Sequence, residues 1–220
     1  MAQKDKNNPK METIVVCSAH SDDFVIGAGG TIAEYTSLGK KVIVLVFSYG
    51  EKSHPWLKED IVQKMRSEEA FEASKILQCK TMFFDLREFH FLEDYEKIEE
   101  KMVRLMKETR PSKIFTHSFE DPHPDHKAVH TITLDVIAKL GELKPEVYTY
   151  SVWNPVSFKT TYPALYVDIT KTFRRKLKSL KTFRSQKIHI IYPFFLLLLR
   201  AFKDGLRIRK RYGEKFFRIR

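Results

Sequence analysis

Residues Glu12 to Ala19 form a continuous apolar and β-branched run, interrupted by no polar alternation, which is the pattern of a strand buried on both faces. The run stops at His20. Gly27, Gly29 and Gly30 then lead into Thr31 to Leu38, whose apolar positions recur at helical spacing, and Gly39 ends that helix before a second buried strand, Lys41 to Phe47. Together these make a βαβ unit. Helical spacing returns over Asp60 to Leu77, Tyr95 to Thr109 and Lys127 to Leu140, and strand patterns over Thr81 to Phe84, Lys113 to His117 and Glu146 to Trp153. Such alternation predicts an α/β fold, a Rossmann-like three-layer αβα sandwich around a mostly parallel sheet with right-handed crossovers. No repeat or low-complexity tract occurs, and residues 1–220 read as a single domain.

Composition narrows the class. With 43% hydrophobic and 13% aromatic residues, 220 positions suffice for a core and exclude a disordered chain. No uninterrupted apolar run is longer than Phe194 to Leu199, which falls well short of the roughly 20 residues that span a bilayer. Met1 to Lys10 is polar and charged, without the apolar stretch of a secretory signal, so a cytoplasmic protein is expected. Cys17 and Cys79 cannot build a disulfide framework, and Cys17, inside an apolar run, reads as core.

The net charge of +11 is unevenly spread. Residues 171–220 hold 17 Lys and Arg against two acids, Asp204 and Glu214, and so carry +15, leaving −4 on residues 1–170. No aromatic-interleaved recognition motif accompanies the charge, so nucleic acid is not the expected partner. Residues 188–220 instead form an apolar and then basic segment with two readings. Phe and Leu sit at a headgroup boundary while Arg207, Arg209, Lys210 and Arg211 meet anionic lipid, or the apolar run packs as the last helix or strand and the basic residues form a solvated face.

Ligands of open parallel sheets bind beyond the carboxyl ends of the strands. Two polar clusters lie there: Ala19-His20-Ser21-Asp22-Asp23 after the first strand, and Asp121-Pro122-His123-Pro124-Asp125-His126 after the strand ending at His117. A zinc-type divalent metal takes imidazole and carboxylate ligands and keeps a position open for chemistry. His20 and Asp23, three apart in a turn, can converge on one ion, with His126 as a third ligand. Asp22 is then the candidate base, His123 the stabiliser of a developing oxyanion, and Asp125 the residue that fixes the tautomer of His123. Taken singly, each cluster also reads as a helix cap or a polar loop. A carboxylate base with a charged His123 implies a bell-shaped rate profile.

These residues resemble the LmbE-like or PIG-L family of metal-dependent N-acetylglucosamine deacetylases, whose signature is Ala-His-Pro-Asp-Asp-Glu, a Gly-rich helix entry and His-Pro-Asp-His. Here the matching stretches are Ala19 to Phe24, Gly27 to Ile32 and His123 to His126, with lesser landmarks at Tyr49-Gly50-Glu51, Arg66 with Glu69, Val167 to Thr170 and Ser185-Gln186. The resemblance spans about residues 12–190. It implies that His20, Asp23 and His126 hold the metal, usually zinc, with Asp22 as base, His123 as electrostatic partner and Arg66 in contact with the sugar. Ser21 stands where the family has Pro, Phe24 where it has Glu, and Phe183 where it often has His. Glu51 and His54 follow the second strand on the same rim and are candidates to line the pocket. Tyr192 is a candidate second oxyanion donor.

The expected activity is hydrolysis of an acetamido sugar to acetate and a free amine. Two other readings stay open: the same two histidines and one carboxylate holding Fe2+ for oxygen chemistry, which usually occupies β-rich barrels instead, and a non-catalytic anion- or nucleic-acid-binding relative.

Overall fold

The computed structural model describes residues 11–154, 161–186 and 194–220. Strand β1 (Thr13–Ser18) shows why an uninterrupted apolar run is needed: Ile14 and Val16 point into one core, Val15 and Cys17 into another on the opposite face of the sheet. Helix α1 (Asp23–Ser37), β2 (Lys41–Val46), a short 3-10 turn (Glu51–Ser53), α2 (Glu59–Leu77) and β3 (Lys80–Phe83) follow. Then come α3 (Glu96–Thr109), β4 (Lys113–His117), α4 (Pro124–Ala138) and β5 (Glu146–Tyr150). The chain continues through β6 (Ala164–Asp168), α5 (Phe173–Leu180), α6 (Phe194–Leu206) and β7 (Gly213–Arg218).

The sheet order is β3-β2-β1-β4-β5-β7-β6. Strands β1 to β5 pair in parallel, and β7 runs antiparallel to both of its neighbours. The fold is thus α/β with a mostly parallel sheet and helices on both faces. Phe24, Ala70, Leu180 and Leu197 from α1, α2, α5 and α6 fill one core; Met102 and Val129 from α3 and α4 fill the other. Burying each large apolar side chain contributes about 1.5–3 kcal/mol. Phe24, where the family has Glu, is fully buried among them. Cys17 is also buried, and its thiol is pushed up to about 12 by that burial, as a core role requires.

Three element boundaries differ from the sequence reading. Helix α1 begins at Asp23, not Thr31, and carries the glycines in its interior. Gly27 is there because a Cβ would lie 2.1 Å from the Tyr150 ring, so it allows close packing on β5 and does not mark a helix entry. Helix α4 starts at Pro124, not Lys127, with proline in its first turn and His123 as N-cap. The extended segment ends at Tyr150, because the N–H groups of Val152 and Trp153 turn to Asp121.

The basic tail contains a strand that its charge concealed. Glu214 and Phe216 of β7 point inward and are buried. Glu214 Oε1 accepts from Lys176 Nζ at 2.6 Å and from Gly30 N at 3.0 Å, and Oε2 from Thr31 N at 2.7 Å; Lys176 also donates to the Ile26 carbonyl at 2.7 Å. This network ties α1, α5 and β7 together.

Candidate metal centre

From β1 the sheet proceeds to β2 on one side, and from β4 to β5 on the other, which opens a crevice at the carboxyl ends of β1 and β4. Both polar clusters meet there. Ser18 Oγ donates to the His20 carbonyl at 2.7 Å and accepts from Phe24 N at 3.0 Å, which fixes the loop after β1. His117 at the end of β4 braces the same loop, accepting from Ala19 N at 2.9 Å through Nε2.

Asp23 lies at the centre. Its Oδ2 accepts the His20 N–H at 2.9 Å and sits 3.3 Å from His20 Nδ1 and 3.2 Å from His126 Nε2. One ligand atom from each of His20, Asp23 and His126 falls within 4.8 Å of the others, and all three residues are buried. His126 is fully enclosed, its Nδ1 2.9 Å from Asp121 Oδ1, yet neither ring nitrogen meets hydrogen-bond geometry with any partner among the described residues. Buried imidazole nitrogens are rarely left so. A nitrogen aimed at a carboxylate oxygen, with a second imidazole beside it, fits a divalent cation of the zinc type.

The electrostatics point the same way. Burial pushes His20 down, but hydrogen bonds to Asp125 and Asp23 outweigh it and raise the group to about 10. In His126 burial is likewise overcome, chiefly by the charge of Asp23, and the group rises to about 9. Burial acts to raise Asp23, yet His126 and His20 hold it well below the usual carboxylate range. The pocket therefore stabilises positive charge.

Asp22 lies beside this trio. Arg66 Nη2 contacts its Oδ1 at 3.3 Å, while Nε donates to Ser21 Oγ at 2.9 Å and Nη1 to the Gly50 carbonyl at 2.9 Å and Ser53 Oγ at 3.2 Å. Ser21 thus makes a contact that the family's proline cannot. Gly50 sits at φ +79°, and a Cβ there would lie 2.0 Å from Arg66 Nη1. Arg66 is buried and its guanidinium is committed to these partners. Asp22 is raised above its ordinary value by burial, which Arg66 opposes and Asp23 reinforces.

His123 is half-buried, and its Nδ1 accepts the Asp125 N–H at 3.2 Å, so the ring proton of the neutral form is on Nε2. Burial and the adjacent His20 and His126 push its pKa down, which replaces the expected charged His123 by a neutral donor. The Asp125 carboxylate does not reach His123 as expected. Its Oδ2 lies 3.1 Å from His20 Nε2 and its Oδ1 accepts the Phe89 N–H at 2.9 Å, so the carboxylate orients His20 and the backbone orients His123. Glu51 is buried and bonded to Ser48 Oγ at 2.9 Å. His54, on the same rim, contacts the Ser185 carbonyl at 3.2 Å. Tyr192 lies outside the described residues.

Two acids had no role in the sequence reading, Asp121, which opens the second cluster, and Glu88, which that reading did not single out. Asp121 accepts from Val152 N and Trp153 N through Oδ2 and faces His126 through Oδ1. Glu88, buried, places Oε1 at 3.4 Å from His20 Nε2 and takes the Lys52 N–H at 2.6 Å through Oε2. It follows the carboxyl end of β3, where the strand-end rule points.

Fold and site define an α/β protein of the switch-point type with a pocket suited to a divalent cation. Residues 15–137 match the family model described as PIG-L, GlcNAc-PI de-N-acetylase, and since this is more than half of the chain, the protein belongs to that family. It is 28% identical over 204 residues to 4-oxalmesaconate hydratase of Pseudomonas putida KT2440, covering 84% of this chain and 78% of the relative. It is 23% identical over 227 residues to diacetylchitobiose deacetylase of Thermococcus kodakarensis, covering 93% and 82%. The N,N'-diacetylchitobiose deacetylase structure from Pyrococcus horikoshii superposes with a TM-score of 0.79 at 24% identity, over 98% of this chain and 87% of that one, a likeness of fold.

Proposed function

We propose that this chain is a zinc-dependent hydrolase that removes the N-acetyl group from an N-acetylglucosamine-containing substrate, lipid-linked conjugates included, and releases acetate. The observation that carries the reading is the unsatisfied Nε2 of His126 facing Asp23 and His20, all three buried, with the half-buried Asp22 beside them. His20, Asp23 and His126 would hold the ion, which supplies Lewis acidity toward the amide carbonyl and the attacking water. Asp22, with Oδ1 anchored by Arg66, takes the water proton on Oδ2 and returns it to the departing amine nitrogen. Its raised pKa suits both halves of that transfer. His123 donates Nε2–H to the developing oxyanion, and Asp125, through its backbone N–H, keeps that tautomer. In this account Arg66 acts through Asp22, while the sugar lies over the rim that carries Glu51.

The test is mass analysis and acetate release after incubating zinc-loaded protein with free, lipid-linked and nucleotide-linked acetamido sugars. Loss of acetyl from at least one class is expected; loss from none overturns the reading. Hydration of an unsaturated acid is the second reading, favoured by the similarity to the Pseudomonas hydratase. It predicts water addition to such an acid and no acetate release in the same preparation.

A further inference from the structure

Helix α6 shows an apolar face to solvent. Phe195, Leu198, Leu199, Phe202 and Leu206 are 41–62% exposed, and their spacing of three, four, seven and eleven residues from Phe195 gathers them into one stripe about 100° wide. The opposite face, Leu197, Ala201 and Asp204, packs inward. Lys203 borders the stripe, and Arg207, Arg209, Lys210 and Arg211, all exposed, follow in the next turns. Residues 194–220 contain two acids, Asp204 and Glu214, and both are buried, so the charged side chains that this segment exposes are basic.

We propose that this face is an interfacial membrane-binding surface whose occupant is an anionic lipid bilayer. A bilayer boundary matches both halves at once: acyl chains take the Phe and Leu stripe, and anionic headgroups take the basic residues. A second copy of this chain pressed against the face would bring Arg207, Arg209 and Arg211 of both copies together, and Asp168, the acid beside this turn, is already engaged by Lys210 at 3.4 Å. A nucleic acid would match the charge and leave the stripe in water. Helix α6 is tied to the candidate centre from its other side: Arg200 donates to the Ser151 carbonyl at 2.8 Å, immediately before Val152 and Trp153, whose N–H groups hold Asp121. Among the described residues no helix is long and apolar enough to cross a membrane, so contact would be from one side. The proposal stands apart from the deacetylase reading, because it is read by binding and not by turnover.

The experiment is sedimentation of the full chain with phosphatidylcholine vesicles with and without phosphatidylserine, at low and high salt, alongside light scattering. Binding to the phosphatidylserine vesicles alone, weakened by salt, is expected. Phe195→Ser with Leu199→Ser should lower partitioning at least about tenfold. Arg209→Glu, Lys210→Glu and Arg211→Glu should lower it at least about fivefold for each charge altered. Both variants should keep the wild-type circular dichroism. Three results overturn the proposal: no vesicle binding at low salt, binding that the serine variant retains in full, or a wild-type dimer that the serine substitutions dissociate.

Discussion

Among the described residues two buried ionic clusters stand out, and they differ in how completely they satisfy themselves. At the Lys176 and Glu214 pair, the ammonium and both carboxylate oxygens are hydrogen-bonded, and the partners include backbone groups of α1. That cluster is closed. Around Asp23 there are imidazoles from His20, His117, His123 and His126 and carboxylates from Asp22, Glu88, Asp121 and Asp125, yet His117 Nδ1 and both nitrogens of His126, although His126 faces Asp121 and Asp23, meet hydrogen-bond geometry with no partner among the described residues. A saturated network holds elements together, whereas an unsaturated one with surplus negative charge is arranged for something that arrives. The difference separates structure from chemistry without reference to any relative.

The largest expected effects break the open cluster. Asp23→Ala or His126→Ala should remove the ion and lower kcat at least about 10³-fold, since the ion supplies several kcal/mol of charge stabilisation. Metal content and acetate release on the same sample check this. Asp22→Asn should keep the ion and lower kcat by about 10²–10⁴-fold, the usual worth of a positioned base. Wild-type kcat in that variant would remove Asp22 from the role.

In the closed cluster the effect falls on stability. Lys176→Met leaves Glu214 buried without its counter-ion and should cost about 3–5 kcal/mol in urea unfolding, with zinc content per folded molecule unchanged. A loss of zinc in parallel would mean that the two clusters are coupled.

The last contrast is read in metal affinity against pH. In the ion-free protein His20 and His126 titrate at about 10 and about 9, above neutrality, so each holds a proton where a cation needs its lone pair. Raising the pH removes those protons and should tighten zinc binding, by up to about two decades per pH unit below both values, and calorimetry near neutrality should show about two protons released. Affinity that does not change from about pH 6 to about pH 8 would contradict the raised values.

The open cluster was largely legible in the sequence. His20, Asp22, Asp23, His123 and His126 each follow a strand whose apolar run is long enough to recognise, so their place at the carboxyl rim could be read before the sheet was seen. The Arg66 network was not legible, because its partners at Ser21, Asp22, Gly50 and Ser53 are assembled only when α2 packs beside the rim. Glu88 was hidden by the shortness of β3. The closed cluster was invisible for a different reason: Glu214 lies in a stretch dominated by Arg and Lys, and its strand pairs with β5 and β6, both distant in sequence. Gly27 misled because a glycine that lets Tyr150 approach looks, in sequence, like one that breaks a helix.

The unsatisfied nitrogens around Asp23 mark a cation site. Equilibrium dialysis against zinc, with metal quantified per folded chain, tests it most directly in the wild type, Lys176→Met and His126→Ala. One tightly held ion is expected in the first two and none in the third; an empty wild-type site, or an ion that His126→Ala retains with undiminished affinity, would contradict a cation site there.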